Sequence, residues 1–220
     1  MSHNASMVQY YAARAREYER IYQKPERQED LRALHKFLEE AFLGADVFEV
    51  ACGTGYWTQS IAGSVKSVLA TDINEEVLHL ARAKGLDPQK VTFHREDAYA
   101  PQHTHRKFNA GFSAFWWSHI PKPRIRSFLQ SFHERLAPSA KVIFIDNVYV
   151  PGSSTPISRT DSEGNTYQRR RLDDGSTHEV LKNFPGESDL RQAVDQLADQ
   201  VRIQFLAYYW ILSYITPSHT

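Results

Sequence analysis

The chain is 220 residues long and carries 26 basic against 26 acidic side chains, so its formal net charge is zero. Apolar residues make up 41% and charged residues 24%, the composition of a globular protein with enough chain to bury a sizeable core. The charge balance argues against nucleic acid or an anionic membrane as partner, the single Cys52 excludes an internal disulfide framework, and no apolar run reaches the roughly 18 residues of a spanning helix. One cytoplasmic domain covering residues 1–220 is the expectation, as a monomer or homodimer.

From Ser6 to Leu43 the chain reads as helical, with Leu31, Leu34, Leu38, Ala41 and Phe42 at helical spacing, Gly44 as the stop, and Pro25 setting off an earlier Tyr- and Arg-rich segment. Val47 to Ala51 is an unbroken, mostly apolar run that ends at Gly53 and Gly55, as a buried parallel strand would. A helix over Tyr56 to Ala62 follows. Val65–Thr71, Val91–His94, Phe108–Phe115 and Val142–Ile145 read as further strands. Asn74–Lys84 and the segment marked by Ile125, Phe128, Leu129, Phe132 and Leu136 read as helices between them. Strands alternating with helices predict an α/β fold, a doubly wound Rossmann-like sheet with helices on both faces.

After Pro151 the rhythm changes. A loop over Pro151–Asn165 leads to a hairpin, Asn165–Leu172 and Thr177–Lys182, around the turn signal Asp173-Asp174-Gly175-Ser176. A helix marked by Leu190, Ala193, Val194, Leu197 and Ala198 and one apolar strand, Val201 to Ile215, finish the chain. This ending predicts an antiparallel edge on the parallel sheet. The domain then divides into an N-terminal helical lid (1–43), a core (44–150), and a hairpin, helix and last strand (151–220).

The chemistry concentrates at Glu49-Val50-Ala51-Cys52-Gly53-Thr54-Gly55, where the first strand ends. Ligands of doubly wound sheets bind at such ends, and glycines there let the backbone turn tightly beside them. A dinucleotide fingerprint needs a third glycine at the position held by Thr58, which weakens a nicotinamide-dependent oxidoreductase as a reading. Glu49 would repel a phosphate and suit an ammonium group. Asp72 ends the second strand, seventeen residues after Gly55, where a carboxylate can accept from both hydroxyls of a ribose or cap the next helix. Asp97 follows the third strand, where an acid can accept from an adenine amino group. In this order the acids specify a nucleoside with an attached amino acid.

On these residues the chain resembles the class I S-adenosylmethionine-dependent methyltransferases, in particular small-molecule enzymes of the ubiquinone/menaquinone-methyltransferase-like group. The resemblance matches Glu49, Gly53 and Gly55 to the glycine motif, Asp72 to the ribose acid and Asp97-Ala98 to the adenine edge. It departs at Ala51, where the family usually has glycine. It implies a seven-stranded, mostly parallel sheet whose last strand is antiparallel, and S-adenosylmethionine as cofactor with S-adenosylhomocysteine as product. Tyr18, Glu49, Ala51, Cys52, Gly53, Thr54, Gly55, Trp57, Asp72, Ile73, Asp97 and Ala98 are the expected cofactor contacts. No metal is expected.

Methyl transfer asks chiefly for alignment and a dry site. His119, after the fourth strand, is the candidate general base, or a histidine bonded to nearby backbone. Trp116 and Trp117 are expected to wall the acceptor pocket, or one of them to pack beneath the other. Tyr10, Tyr11, Arg14 and Tyr22 on the lid, with Asn147 after the fifth strand, complete the expected acceptor contacts. The aromatic content predicts a small aromatic or heterocyclic acceptor, methylated on N, O or C. A nucleoside-binding protein of this fold without activity is the remaining alternative. Arg169-Arg170-Arg171 would be a charged edge against aggregation or a site for an acidic substrate or partner, with Arg170 facing away from the other two.

Overall fold

The computed structural model describes residues 3–101 and 106–218. Its central sheet is built from β1 (Asp46–Val50), β2 (Ser67–Asp72), β3 (Val91–Arg95), β4 (Phe108–Ala114) and β5 (Leu136–Asn147), all parallel. The second half of the chain adds β6 (Ile157–Thr160), β7 (Thr166–Arg171) and β8 (Thr177–Leu181), and ends with β9 (Asp199–Phe205) and β10 (Tyr209–Ile215). The seven-stranded sheet has the order β3-β2-β1-β4-β5-β10-β9. β10 runs antiparallel to both of its neighbours, so it alone opposes the rest. The order reverses at β1, where two neighbours diverge and leave a crevice at the carboxyl ends of the strands.

Each element follows from its local sequence. Val47, Phe48, Glu49 and Val50 are all buried because β1 is covered on both faces, which explains its lack of polar alternation. On one face lie α2 (Gln28–Ala41), α3 (Tyr56–Ile61) and α4 (Glu75–Ala83), which bring Leu31, Leu34, Leu38, Trp57, Ile61 and Leu78 into one apolar cluster. On the other lie α5 (Ile125–His133) and α6 (Glu187–Val194), with Phe128, Leu129, Phe132, Leu190 and Val194 packed on Phe48, Val142 and Trp210. Each such side chain contributes about 1.5–3 kcal/mol through burial. Among the described residues no helix is long and apolar enough to cross a membrane.

Gly111 makes this packing possible where β4 passes under α5. A Cβ there would sit 2.7 Å from Phe132 Cζ and 2.9 Å from Leu136 Cδ1. Gly111→Ala is therefore expected to cost about 1–2 kcal/mol through overpacking, a loss read directly from chemical denaturation.

Several expectations need correction. Leu136 begins β5 rather than belonging to the helix before it, and Leu197 and Ala198 lie past the end of α6. The N-terminal helical run divides into α1 (His3–Arg14), a 3-10 segment (Ala15–Gln23), a short turn at Pro25–Arg27 and α2. The single last strand is two, β9 and β10, joined by a tight turn in which Leu206 N–H donates to the Tyr209 carbonyl (2.8 Å). Tyr208 N–H is held by Asp30 of α2 at 2.7 Å, so a tertiary contact makes this turn where no Gly, Pro or Asn marks it. The loop after Pro151 contains β6. Finally, the β7–β8 hairpin does not extend the main sheet but forms a separate sheet of order β6-β7-β8. β7 is its central strand, so Arg169-Arg170-Arg171 is no edge, although the facing holds: Arg170 is half-buried and its two neighbours are exposed.

Candidate active site

The small sheet is pinned across the carboxyl ends of β4 and β5. Lys182, just past β8, donates to Asp146 Oδ1 (2.8 Å) and Ser118 Oγ (2.7 Å), and Ser118 N–H donates to Asp146 Oδ2 (2.9 Å). Asn183 N–H donates to the Ser118 carbonyl (2.8 Å). α1 closes the same end from the other side. Between lid, hairpin and strand ends lie two cavities of contrasting charge.

The first, about 760 Å³, lies over the ends of β1, β2 and β3. Ala51, Gly53, Asp72, Ile73, Asp97 and Ala98 line it, with Tyr18 and Tyr11 of the lid above. Asp72, Glu96 and Asp97 line it and no Lys or Arg does; Glu96 is paired with the buried Arg135 at 3.0 Å, which leaves Asp72 and Asp97 as its acidic groups. Asp72 Oδ2 accepts Gly53 N–H and Oδ1 accepts Asn74 N–H, both at 2.9 Å, so the acid holds the glycine turn and the start of α4 together. Burial nevertheless pushes the Asp72 carboxyl up to about 6, because no cation offsets its desolvation. The turn itself is strained. Ala51 sits at φ +53°, the left-handed region where the resembled family has glycine, and Phe115, lining both cavities, sits at φ +61°.

Other expected cofactor contacts lie behind this surface. Glu49 is 1% exposed and accepts from Thr58 Oγ1 at 2.7 Å; burial pushes its carboxyl up to about 8. It does not line the cavity, and a protonated carboxyl offers no charge to an ammonium group. Cys52 is buried behind the turn, and Trp57 packs against Tyr22 and Phe115 in the core. Thr54 donates to Glu19 of the lid segment (2.7 Å), and a Cβ on Gly55, at φ +73°, would meet Ala81 at 3.0 Å. Gly55 thus serves helix packing.

The second cavity, about 1060 Å³, lies between α1, the 3-10 segment, β7 and the end of β5. Tyr10, Arg14 and Asn147 line it, as expected of acceptor contacts, whereas Tyr22 and Trp117 are core residues. Trp116 lines the first cavity instead, and its indole Nε1–H is buried with no acceptor among the described residues. Sequence reasoning missed Lys24, Arg27 and Lys182 on the second cavity, and weighed Arg170 there only within the Arg run at 169–171. These residues come from two stretches, the turn at 24–27 and the β7–β8 hairpin, that only the tertiary fold brings together.

Tyr11, Tyr18, Phe115 and His119 line both cavities and so mark their junction. His119 Nδ1 lies 2.6 Å from the Leu181 carbonyl, which can only accept, so that nitrogen carries the proton. Its Nε2 therefore accepts the Tyr11 hydroxyl at 2.7 Å. Burial, reinforced by Lys182 and Arg170, holds the imidazole well below its ordinary pKa and therefore neutral. Among the described residues no cluster of metal-ligating side chains exists.

Residues 47–139 match the family described as a methyltransferase domain. No curated protein matches the sequence. Among solved structures, a DhpI–SAM–HEP complex is 28% identical, aligned over 97% of each chain with a TM-score of 0.81. A DhpI–SAH complex is also 28% identical, over 97% of this chain and 96% of that one, with a TM-score of 0.79. The PH0226 protein from Pyrococcus horikoshii OT3, at 18% identity over 91% and 98% of the two chains and a TM-score of 0.70, shares the fold. The matched domain and the two 28%-identical structures, aligned over nearly the whole chain, show that this chain has the class I methyltransferase fold and is an S-adenosylmethionine-dependent methyltransferase.

Proposed function

We propose that the protein transfers a methyl group to a small-molecule acceptor held in the second cavity, with the cofactor's nucleoside in the first. The observation that carries this reading is the pairing of an acidic cavity, lined by no Lys or Arg, at the ends of β1–β3 with a separate cavity reached past Tyr11, Phe115 and His119. When bound, S-adenosylmethionine supplies an electrophilic methyl group on a sulfonium.

The first cavity fits such a group. Each Asp72 oxygen holds one backbone N–H and keeps acceptor capacity for a ribose hydroxyl. The orphaned Trp116 Nε1–H offers a donor to a heterocyclic nitrogen near Asp97 and Ala98, and acidic walls favour a cation. A dinucleotide pyrophosphate would meet Asp72 and Asp97 with no Lys or Arg lining the cavity, which removes support from the oxidoreductase alternative.

On this reading the residues at the junction align and desolvate the reactants. The Tyr11 and Tyr18 rings, 5.9 Å apart, lie over the joint between the cavities, and burial keeps both hydroxyls protonated. His119 presents its lone pair to Tyr11, so its part is to hold the lid tyrosine; it abstracts no proton while that bond stands. Tyr11→Phe and His119→Ala are each expected to lower turnover about fivefold, the worth of one buried hydrogen bond of about 1 kcal/mol. The double variant should lose no more than either single one, a cycle read from steady-state rates. Additive losses would give His119 a separate role.

The test of the function is calorimetric titration with S-adenosylhomocysteine beside NADH, followed by transfer of labelled methyl from S-adenosylmethionine to small acceptors. Micromolar binding of S-adenosylhomocysteine alone, with label passing to an acceptor, is the expected result. Cofactor binding without transfer to any acceptor would favour the non-catalytic alternative.

A further inference from the structure

The second cavity is polar and cationic in a way that the sequence-based expectation of a flat aromatic acceptor does not account for. The rings behind that expectation are largely core: Trp57, Trp117 and Trp210 are each at most 3% exposed and pack in the two apolar clusters. Six Tyr and Phe rings do line the cavity (Tyr10, Tyr11, Tyr18, Phe115, Phe184 and Tyr209), but beside them stand seven Lys and Arg residues against a single carboxylate, Glu17.

Two of these cations have partners that leave their charge uncompensated. Arg170 donates through Nε (3.2 Å) and Nη2 (2.7 Å) to the amide oxygen of Gln168. Arg14 donates through Nη1 to the Tyr10 hydroxyl (2.8 Å), and its guanidinium lies 5.4 Å from the centre of the Tyr18 ring. Among the described residues neither forms an ion pair with a carboxylate. Arg27, 7% exposed, likewise donates to Ser153 Oγ (3.0 Å) and stands over the Tyr208 and Tyr209 rings. Lys182 is different, since Asp146 neutralises it. Burying guanidinium groups without a counter-charge is costly, and such a site gains most from an anion that supplies it. The acidic walls of the neighbouring cavity sharpen the contrast, placing opposite potentials on either side of Tyr11 and His119.

We propose that the methyl acceptor is a small oxyanion, of the phosphate, phosphonate or carboxylate type, held between Arg14 of the lid and Arg170 of β7 and methylated on oxygen. The proposal rests on the first cavity being the methyl-donor site. An anionic oxygen uses a lone pair to form the new C–O bond while the methyl carbon–sulfur bond breaks. The bonding electrons stay on sulfur, which becomes a neutral thioether, and the product is a methyl ester. No proton moves, in keeping with a His119 lone pair already taken by Tyr11. Arg14 lies on the lid, so an anion bound between the two guanidiniums also draws α1 onto the hairpin and closes the site.

The test is calorimetry of the intact protein with methylphosphonate, propionate and inorganic phosphate, each with and without saturating S-adenosylhomocysteine. Saturable binding of at least one oxyanion is expected, weakened at least tenfold by Arg170→Met and by Arg14→Gln, with S-adenosylhomocysteine affinity changed less than threefold. The unchanged cofactor affinity shows that the variants fold, and Arg14→Gln, on a lid helix, serves if Arg170→Met does not. Tighter methylphosphonate than propionate assigns a tetrahedral acceptor; the reverse order assigns a carboxylate. Base treatment of the labelled product reads the same distinction, because a carboxylate methyl ester releases methanol readily. No anion binding by a protein that binds S-adenosylhomocysteine, or equal binding by the variants, overturns the proposal. Loss of S-adenosylhomocysteine binding with anion binding intact would instead overturn the donor-site reading.

Discussion

Asp72→Ala is expected to lower the affinity for S-adenosylhomocysteine about 100-fold, or about 2.7 kcal/mol at 25 °C. The carboxylate is a hub rather than a lone contact. It fixes Gly53 N–H and Asn74 N–H at 2.9 Å each and thereby sets the turn at Ala51–Gly55 against the start of α4. Removing it takes away the ribose acceptors and also leaves two backbone donors without their partner. Each lost hydrogen bond to a charged group is worth about 1.5–3 kcal/mol. The measured quantity is the calorimetric dissociation constant, with circular dichroism as the check on folding; unchanged affinity would remove Asp72 from the ribose role.

The same carboxylate predicts a pH dependence. Its folded-state pKa is raised from 3.8 to about 6, so the group binds its proton more readily in the folded protein than in the unfolded chain. The stability it confers is therefore greatest below about pH 4 and is lost as pH rises through about 6, the price of keeping an acceptor ready. Cofactor affinity should move the opposite way, falling as pH drops below about 6 and Asp72 becomes protonated. Titrations at pH 5 and 7.5 on the wild type and Asp72→Asn check this: the wild type loses affinity at pH 5, whereas Asp72→Asn changes little between the two.

What was legible before the fold was known follows the range of the interactions involved. The parallel strands and their helices show in local apolar pattern, and Gly53, Asp72 and Asp97 stand at strand ends whatever the rest of the chain does. These residues do meet at one cavity. Glu49 shows where local reasoning stops: its place beside the glycine motif suggested a ligand, yet its side chain points to Thr58, which no spacing rule reveals. The Asp173–Ser176 turn identified the hairpin but not its destination, because Lys182 and Asn183 fix that through contacts to Asp146 and Ser118, 36 and 65 positions earlier in the chain. The character of the acceptor cavity was hidden for the same reason. Arg14 and the Arg run at 169–171 were visible as candidate contacts, but Lys24, Arg27 and Lys182 are ordinary types in sequence, and only the convergence of seven cations against Glu17 alone shows what the cavity is.

Lys182→Met is expected to destabilise the protein by about 3–5 kcal/mol, the loss typical of breaking a buried ion pair from one side. Asp146 is fully buried and Lys182 is 3% exposed, so the carboxylate left behind would have no cation and no water. Its remaining partners, Ser118 N–H at 2.9 Å and Asn147 N–H at 2.7 Å, are backbone donors that cannot neutralise it. Burial already draws the Lys182 amine down to about 8, which shows that desolvation outweighs part of the attraction to Asp146. The pair therefore adds little net stability over an uncharged pair of similar shape, and the double variant Asp146→Asn, Lys182→Met should recover most of the loss. Denaturant unfolding of the two single variants and the double one measures the coupling. A small loss in Lys182→Met, or no recovery in the double variant, would mean that the hairpin is held by Asn183 and the backbone alone. Recovery would instead identify the ion pair as a device of orientation: it seats β7 so that Arg170 faces the lid, and its own charge is cancelled while that of Arg170 is left for the acceptor.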